Sequence, residues 1–138
     1  MNIIEISNNF CFNYFSCLRK VSSSIGITQA QAVCIFAIPF AGISQSSLSK
    51  KLSIDLSTLS RNLDNLIKRN LVNKSLSMID KRSYKIRLTN KGIELQKQFT
   101  AQISSQLSVC FNSLTVEESN QLEELLNKIN WELELLNQ

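Results

Sequence analysis

Seven residues of this chain have the types and spacing to hold a polyanion. Ser57, Thr58, Ser60 and Arg61 fall within five positions, Lys68 follows seven residues later, and Lys81 and Arg82 form a second cluster beside Asp80. Short hydroxyls donate single hydrogen bonds to phosphate oxygens, and lysine supplies a compact positive charge. An arginine can give two parallel hydrogen bonds to one planar acceptor edge, and an aspartate two residues away can hold its guanidinium in direction. The surrounding charge points the same way. Between Ser44 and Lys97 there are twelve Lys or Arg against four acids, whereas the rest of the chain has three against seven. The net charge of +4 therefore conceals a basic stripe, which suits a polyanion at one end of the molecule.

Other chemistries are excluded by composition. The chain has no histidine, which removes Ser-His-Asp triads, Cys-His dyads and His-containing zinc sites. Its three glycines, Gly26, Gly42 and Gly92, are too far apart to form a phosphate-cradling loop. The pairs Glu117-Glu118 and Glu123-Glu124 belong to a solvated helical face, without apolar surroundings to raise a carboxyl pKa. No catalytic residue, metal site or cofactor is expected, and the chain does not read as an enzyme. Cys11, Cys17, Cys34 and Cys110 show no Cys-x-x-Cys pairing, so a disulfide scaffold is not expected. The start MNIIEIS lacks the regions of a secretory signal. The longest apolar run, AVCIFAIPFAGI, is interrupted by Pro39 and too short to span a bilayer. A soluble, cytoplasmic protein with no membrane partner is the expectation.

The elements that must position the basic residues follow from periodicity. A first helix is expected from Ile3 to Ser22, with Ile6, Phe10, Tyr14, Cys17, Leu18 and Val21 near one face. Thr28-x-x-Gln31 is a capping box opening a second helix, apolar all round through Val33, Cys34, Ile35, Phe36 and Ile38 and hence expected to be buried. Ser44 can cap a short third helix, with Ile43 stapled against Leu48. Asp55 can cap the fourth, whose Leu56, Leu59, Leu63, Leu66 and Ile67 form a stripe opposite a polar face. Two short helices joined by a three-residue turn have the signature of a helix-turn-helix. Asn70 tolerates the left-handed conformation that ends a helix. Beyond it the period changes to two, with Tyr84, Ile86 and Leu88 on one side of SYKIRL, and pairing with LVNKSLS makes a hairpin whose tip, Met78 to Arg82, is a wing.

Thr89 can cap a fifth helix with Phe99, Ile103, Leu107, Cys110 and Leu114 at helical spacing. Thr115-x-x-Glu118 opens a sixth with a near-heptad of Leu122, Leu125, Leu126, Ile129, Leu133 and Leu136. A chain of 138 residues has little core left for these stripes, and dimerisation is their natural outlet. Cys34 and Cys110 are expected to be small buried hydrophobes. The fold class is therefore mainly α with a small β-hairpin wing: a winged helix-turn-helix plus a helical dimerisation arm. Residues 1–27 and 93–138 would form the helical dimerisation region and 28–92 the winged helix-turn-helix, in a single compact domain.

The stretch from Asp55 to Gly92 resembles the MarR family of winged helix-turn-helix regulators. The resemblance rests on Asp55, Ser57, Thr58, Leu59 and Arg61, then on Asp80, Arg82, Ile86, Leu88, Thr89 and Gly92, with Gly26-Ile27-Thr28-x-x-Gln31 upstream. The chain departs from the family at Asn70, where glycine is usual, and in its shorter first helix. The resemblance implies a homodimeric transcriptional regulator, a repressor released by a small-molecule effector, that binds double-stranded DNA at a pseudo-palindromic operator. Ser57, Thr58, Ser60, Arg61, Lys68, Lys81 and Arg82 would be the DNA-binding residues, and Asp80 would orient the wing. Its effector pocket would lie between the helical arm and the winged region, near Phe10, Tyr14 and Phe36. Two alternatives stay open: a thiol-based redox sensor using Cys11 or Cys17, whose Cys11-Phe12 pair resembles the peroxide-sensing branch, and a winged-helix protein-interaction module that does not read DNA.

Overall fold

A computed structural model describes residues 1–79 and 82–138; Asp80 and Lys81 lie outside the described residues. The elements follow in the order α1 (Ile3–Ser24), α2 (Gln29–Ala37), β1 (Ile43–Ser44), α3 (Gln45–Leu52), α4 (Leu56–Lys68), β2 (Val72–Leu76), β3 (Tyr84–Leu88), α5 (Asn90–Phe111) and α6 (Val116–Leu136). By their internal contacts they form two compact units, Met1–Ile103 and Ser104–Gln138, divided within α5.

In the first unit each helix starts where a side chain can satisfy its orphan N–H groups. Asn2 and Glu5 form a capping box on α1, and Thr28 and Gln31 form the expected one on α2. Ser44 caps α3 and Asp55 caps α4, both through backbone N–H groups three residues on. The core is the common side of these helices and the sheet: Leu48, Leu59, Leu63, Leu66 and Ile86 are fully buried, with Val21, Ile35, Ile38, Leu71, Val72 and Phe99 beside them. Burying each such side chain is worth roughly 1.5 to 3 kcal/mol, which is what holds α3 and α4 as one rigid pair.

The sheet has strand order β1-β3-β2, all antiparallel. Val72 pairs with Leu88, Lys74 with Ile86 and Leu76 with Tyr84, the hairpin that the period-two pattern implies. β1 was not anticipated. Ile43 and Ser44 pair with Ile86 and Lys85, so Ile43, expected as the N-terminal staple of α3, is also a strand residue. Two residues are too few to show an alternation.

Gly92 explains how closely α5 approaches the sheet. A Cβ at this position would fall on the Leu71 carbonyl oxygen, and the Thr89 N–H donates to that same oxygen at 3.1 Å. The Thr89 hydroxyl accepts from the Gly92 N–H at 3.0 Å, which makes it the expected start of α5. The second helix departs from expectation. Ala32, Cys34, Ile35, Ala37 and Ile38 are buried, but Val33 and Phe36 remain 36% and 43% exposed, because only one side of α2 faces the core.

The second unit holds the end of α5 and all of α6, whose capping box is the expected Thr115 and Glu118 pair. None of the residues of α6 is buried within a single chain, and Leu125, Leu126, Ile129, Leu133 and Leu136 are exposed. Cys110 is also exposed, not the buried hydrophobe expected, since no element of its own unit covers that side of α5.

Candidate nucleic-acid interface

The turn between α3 and α4 is closed from both sides. Ser53 takes the left-handed conformation (φ 52°), and its N–H returns to the Lys50 carbonyl oxygen while that of Ile54 returns to Ser49. The Ser49 hydroxyl donates to the Ile54 carbonyl oxygen at 2.6 Å. With the turn fixed and Leu59, Leu63 and Leu66 buried, helical periodicity sends Ser57, Arg61, Asp64 and Lys68 outward along one face. Arg61 and Lys68 are exposed; Thr58 and Ser60 are half-buried on its flanks.

Asp55 organises the start of that face. Its carboxylate accepts from the Thr58 N–H at 2.7 Å, the Ser57 hydroxyl at 2.6 Å and the Thr58 hydroxyl at 3.0 Å. Those bonds, the Ser57 hydroxyl first, hold its pKa at about 2. The protons of both hydroxyls are thus committed to the cap, leaving lone pairs outward, so an anion at this face would meet Arg61, Ser60 and Lys68 as donors. The cap was legible in the sequence, and the two- and three-residue spacings from Asp55 are what bring the Ser57 and Thr58 hydroxyls to it.

The wing supplies a second cationic edge. Arg82 is exposed immediately before β3, and Lys74 of β2 lies over the Tyr84 ring at 4.3 Å from its centroid. Lys74, Tyr84 and Arg82 line a groove of about 310 Å³ whose other wall is Leu56, with Gln45 and Ser46 from α3. Lys74 was expected to add sequence-independent attraction, but its meeting with Tyr84 and Leu56 was not legible in the sequence, because it depends on the sheet register. The expectations for Asp80 and Lys81 fall on residues outside those described.

The far end of α4 is tied down at Arg69, its C-cap. The Arg69 guanidinium donates to the Gly26 carbonyl oxygen at 2.8 Å, and the Lys91 ammonium donates to the Arg69 carbonyl oxygen at 3.3 Å. Asn70 takes the expected left-handed conformation (φ 58°), and its carbonyl oxygen accepts from the Thr89 hydroxyl at 2.7 Å.

A cavity of about 550 Å³ lies against the flank of α4, lined by Val33, Cys34, Ile54, Thr58 and Asn62 among others. It sits inside the winged region, apart from the aromatic residues expected to gather around a pocket. Phe10 stacks on Tyr14 at 6.1 Å between centroids, and Phe36 meets Phe99 edge-on at 4.7 Å. Burial pushes the Cys34 thiol up to about 11, so it stays protonated and unreactive. Cys11 is exposed and Cys17 half-buried on α1. Among the described residues, no group of three or more acids and cysteines could hold a metal ion, and no helix is long and apolar enough to cross a membrane.

The multiple antibiotic resistance protein MarR of Escherichia coli (strain K12) is 32% identical over 114 residues, covering 81% of this chain and 79% of that protein. The chain belongs to the MarR family. The MarR family model itself matches residues 39–84, which takes in β1, α3, α4, β2 and the loop to β3. The fold agrees over nearly the whole MarR-family chain. The apo crystal structure of E. coli MarR superposes with a TM-score of 0.81 at 28% identity, covering 94% of this chain and 96% of that one. A mutant E. coli MarR complexed with operator DNA superposes at 0.75 and 29% identity, covering 91% of each. The MarR winged-helix architecture is therefore the architecture of this chain.

Proposed function

We propose that this protein is a homodimeric, sequence-specific DNA-binding transcriptional repressor, released from a pseudo-palindromic operator by a small-molecule effector. The observation that carries the reading is the outward face of α4, with Arg61 and Lys68 exposed on it and the cationic wing edge of Lys74 and Arg82 alongside. A helix of this size fits the major groove, where Arg61 would read a guanine edge and Ser60 and Lys68 would hold phosphate. Ser57 and Thr58 would join once phosphate competes for their hydroxyls, Arg82 would reach the minor groove with Asp80 orienting the wing, and Lys81 would add sequence-independent attraction. Operator binding by the E. coli relative supports this reading.

Residues 1–27 and 93–138 would form the dimer. Support comes from the apolar side chains that a single chain leaves exposed, Ile3, Ile6 and Phe10 on α1 and the leucine stripe of α6. The cavity beside Thr58 and Asn62 is of ligand size and touches the recognition helix, which supports effector control. A second reading, thiol sensing through Cys11 or Cys17, is supported by the exposure of Cys11. The protein-interaction alternative has less support, because the outward face of α4 carries charges and hydroxyls rather than apolar anchors.

The test is selection of genomic fragments by the purified protein, followed by anisotropy titration of the recovered duplex. A repeated, two-fold symmetric sequence bound with strong salt dependence is the expected result; recovery of random fragments would remove the reading. Release on mild peroxide, lost in Cys11→Ser or Cys17→Ser, would favour the thiol reading over a small-molecule effector.

A further inference from the structure

The end of the wing is apolar where the rest of it is cationic. β2 and β3 pair as far as Leu76 and Tyr84, and the Ser77 N–H to Ser83 carbonyl bond at 2.9 Å carries the ladder one step further. Beyond that bond stand Met78 and Ile79, 99% and 100% exposed. The Ile79 N–H donates to the Ser77 hydroxyl at 3.3 Å, a local turn beside which both side chains stand exposed. By sequence the hairpin around them carries Lys74, Lys81, Arg82, Lys85 and Arg87 against one acid, Asp80. Two large apolar side chains at the tip of a cationic ribbon are stable in water only at a cost, and they gain most where a partner removes water from them.

We propose that Met78 and Ile79 form an apolar wedge that enters the minor groove beside each half-site and selects for a deformable base step there. The inference rests on the DNA-reading function proposed above and adds a specificity determinant to it. The minor groove offers only a degenerate hydrogen-bond pattern, so a side chain placed there reads shape and stiffness. Apolar side chains do so by entering between base pairs and partly unstacking them, which costs least at pyrimidine–purine steps and most in stiff A-tracts. The cations around the tip neutralise the phosphates on either side of the groove, and the groove that Lys74, Arg82 and Tyr84 share with Leu56 joins this hairpin to the start of α4, which favours duplex DNA over an anionic lipid surface.

The test uses duplexes with the same selected half-sites that differ only in the step under the wing, a TpA step against an ApA step within an A-tract. Each carries 2-aminopurine at that step, whose fluorescence rises on unstacking. The full-length protein is expected to prefer the TpA duplex by about tenfold, the scale of one unfavourable position in a site, and to raise its fluorescence. Met78→Ser with Ile79→Ser should lose the step preference and the fluorescence rise while keeping half-site preference and its melting temperature. Arg61→Ala should do the reverse, losing half-site preference and keeping step preference.

Equal binding of both duplexes by the unaltered protein, or a double variant that behaves like it, overturns the wedge while leaving DNA reading intact. Failure to select any duplex overturns both together. Loss of binding to anionic phospholipid vesicles in the double variant, with operator binding unchanged, would reassign the tip to lipid and so overturn it as well.

Discussion

Arg69 and Gly26 are joined by a 2.8 Å hydrogen bond from the guanidinium to the glycine carbonyl oxygen, across 43 positions of sequence. The bond ties the C-terminal end of α4 to the turn between α1 and α2, so the orientation of the helix that faces a ligand depends on the first helix. Arg69→Ala is expected to lower stability by about 1 kcal/mol, the value of one partly screened charge-assisted bond. It should weaken binding to a selected duplex more than Lys91→Ala, whose bond to the same cap is longer at 3.3 Å. Urea denaturation and anisotropy titration of the two variants check this; equal effects would remove Arg69 from the positioning role.

Gly92 tolerates no side chain. Because a Cβ there would meet the Leu71 carbonyl oxygen, Gly92→Ala must push α5 off the sheet and stretch the Thr89 N–H bond to Leu71. A loss of roughly 2 kcal/mol or more is expected, read as a lower urea midpoint with unchanged slope.

Asp55 should give α4 an acid-sensitive start. Its folded-state pKa is lowered from 3.8 to about 2, chiefly by the Ser57 hydroxyl and then by Thr58. A depressed pKa means that the stabilisation is complete above the ordinary value and is lost as the pH falls from about 4 towards 2. Asp55→Ala is expected to lower stability at neutral pH, as loss of an N-cap does, and to show a smaller stability change across that acid window than the unaltered protein. Thermal melts at several pH values would decide it.

Arg61 and Lys68 share one face of α4 but should differ in what they report. Arg61→Ala is expected to relax sequence preference, costing roughly 1 to 3 kcal/mol for a lost bidentate base contact. Lys68→Ala and Lys81→Ala should each weaken all sequences alike and reduce the slope of log affinity against log salt by about one. If Arg61→Ala and Arg82→Ala both leave affinity for a selected operator unchanged, the assignment of this face to DNA is wrong.

Removal of the residues after Leu114 should abolish dimerisation, since it deletes the whole exposed leucine stripe of α6. Sedimentation equilibrium is the measurement. A full-length chain that stays monomeric at micromolar concentration would refute the dimer, and a dimeric truncation product would move it elsewhere.

The sequence alone determined what depends on near neighbours. The caps at Thr28, Ser44, Asp55, Thr89 and Thr115 were legible because a hydroxyl or carboxylate and the N–H it serves are separated by three residues. The α4 stripe and the alternation of β3 were legible because burial imposes a period, and the left-handed turn at Asn70 because few side chains allow it. The basic stripe is a matter of counting. Tertiary structure decided everything that joins distant residues: the β1 pairing through Ile43 and Ile86, the Arg69 bond to Gly26, Lys74 over Tyr84 opposite Leu56, and the contact that forbids a side chain at Gly92. It also decided which apolar residues stay outside. Composition made Val33, Phe36 and Cys110 look buried, but burial belongs to the surface an element finds against it, and a helix of 9 or 22 residues carries no record of which side that surface will cover.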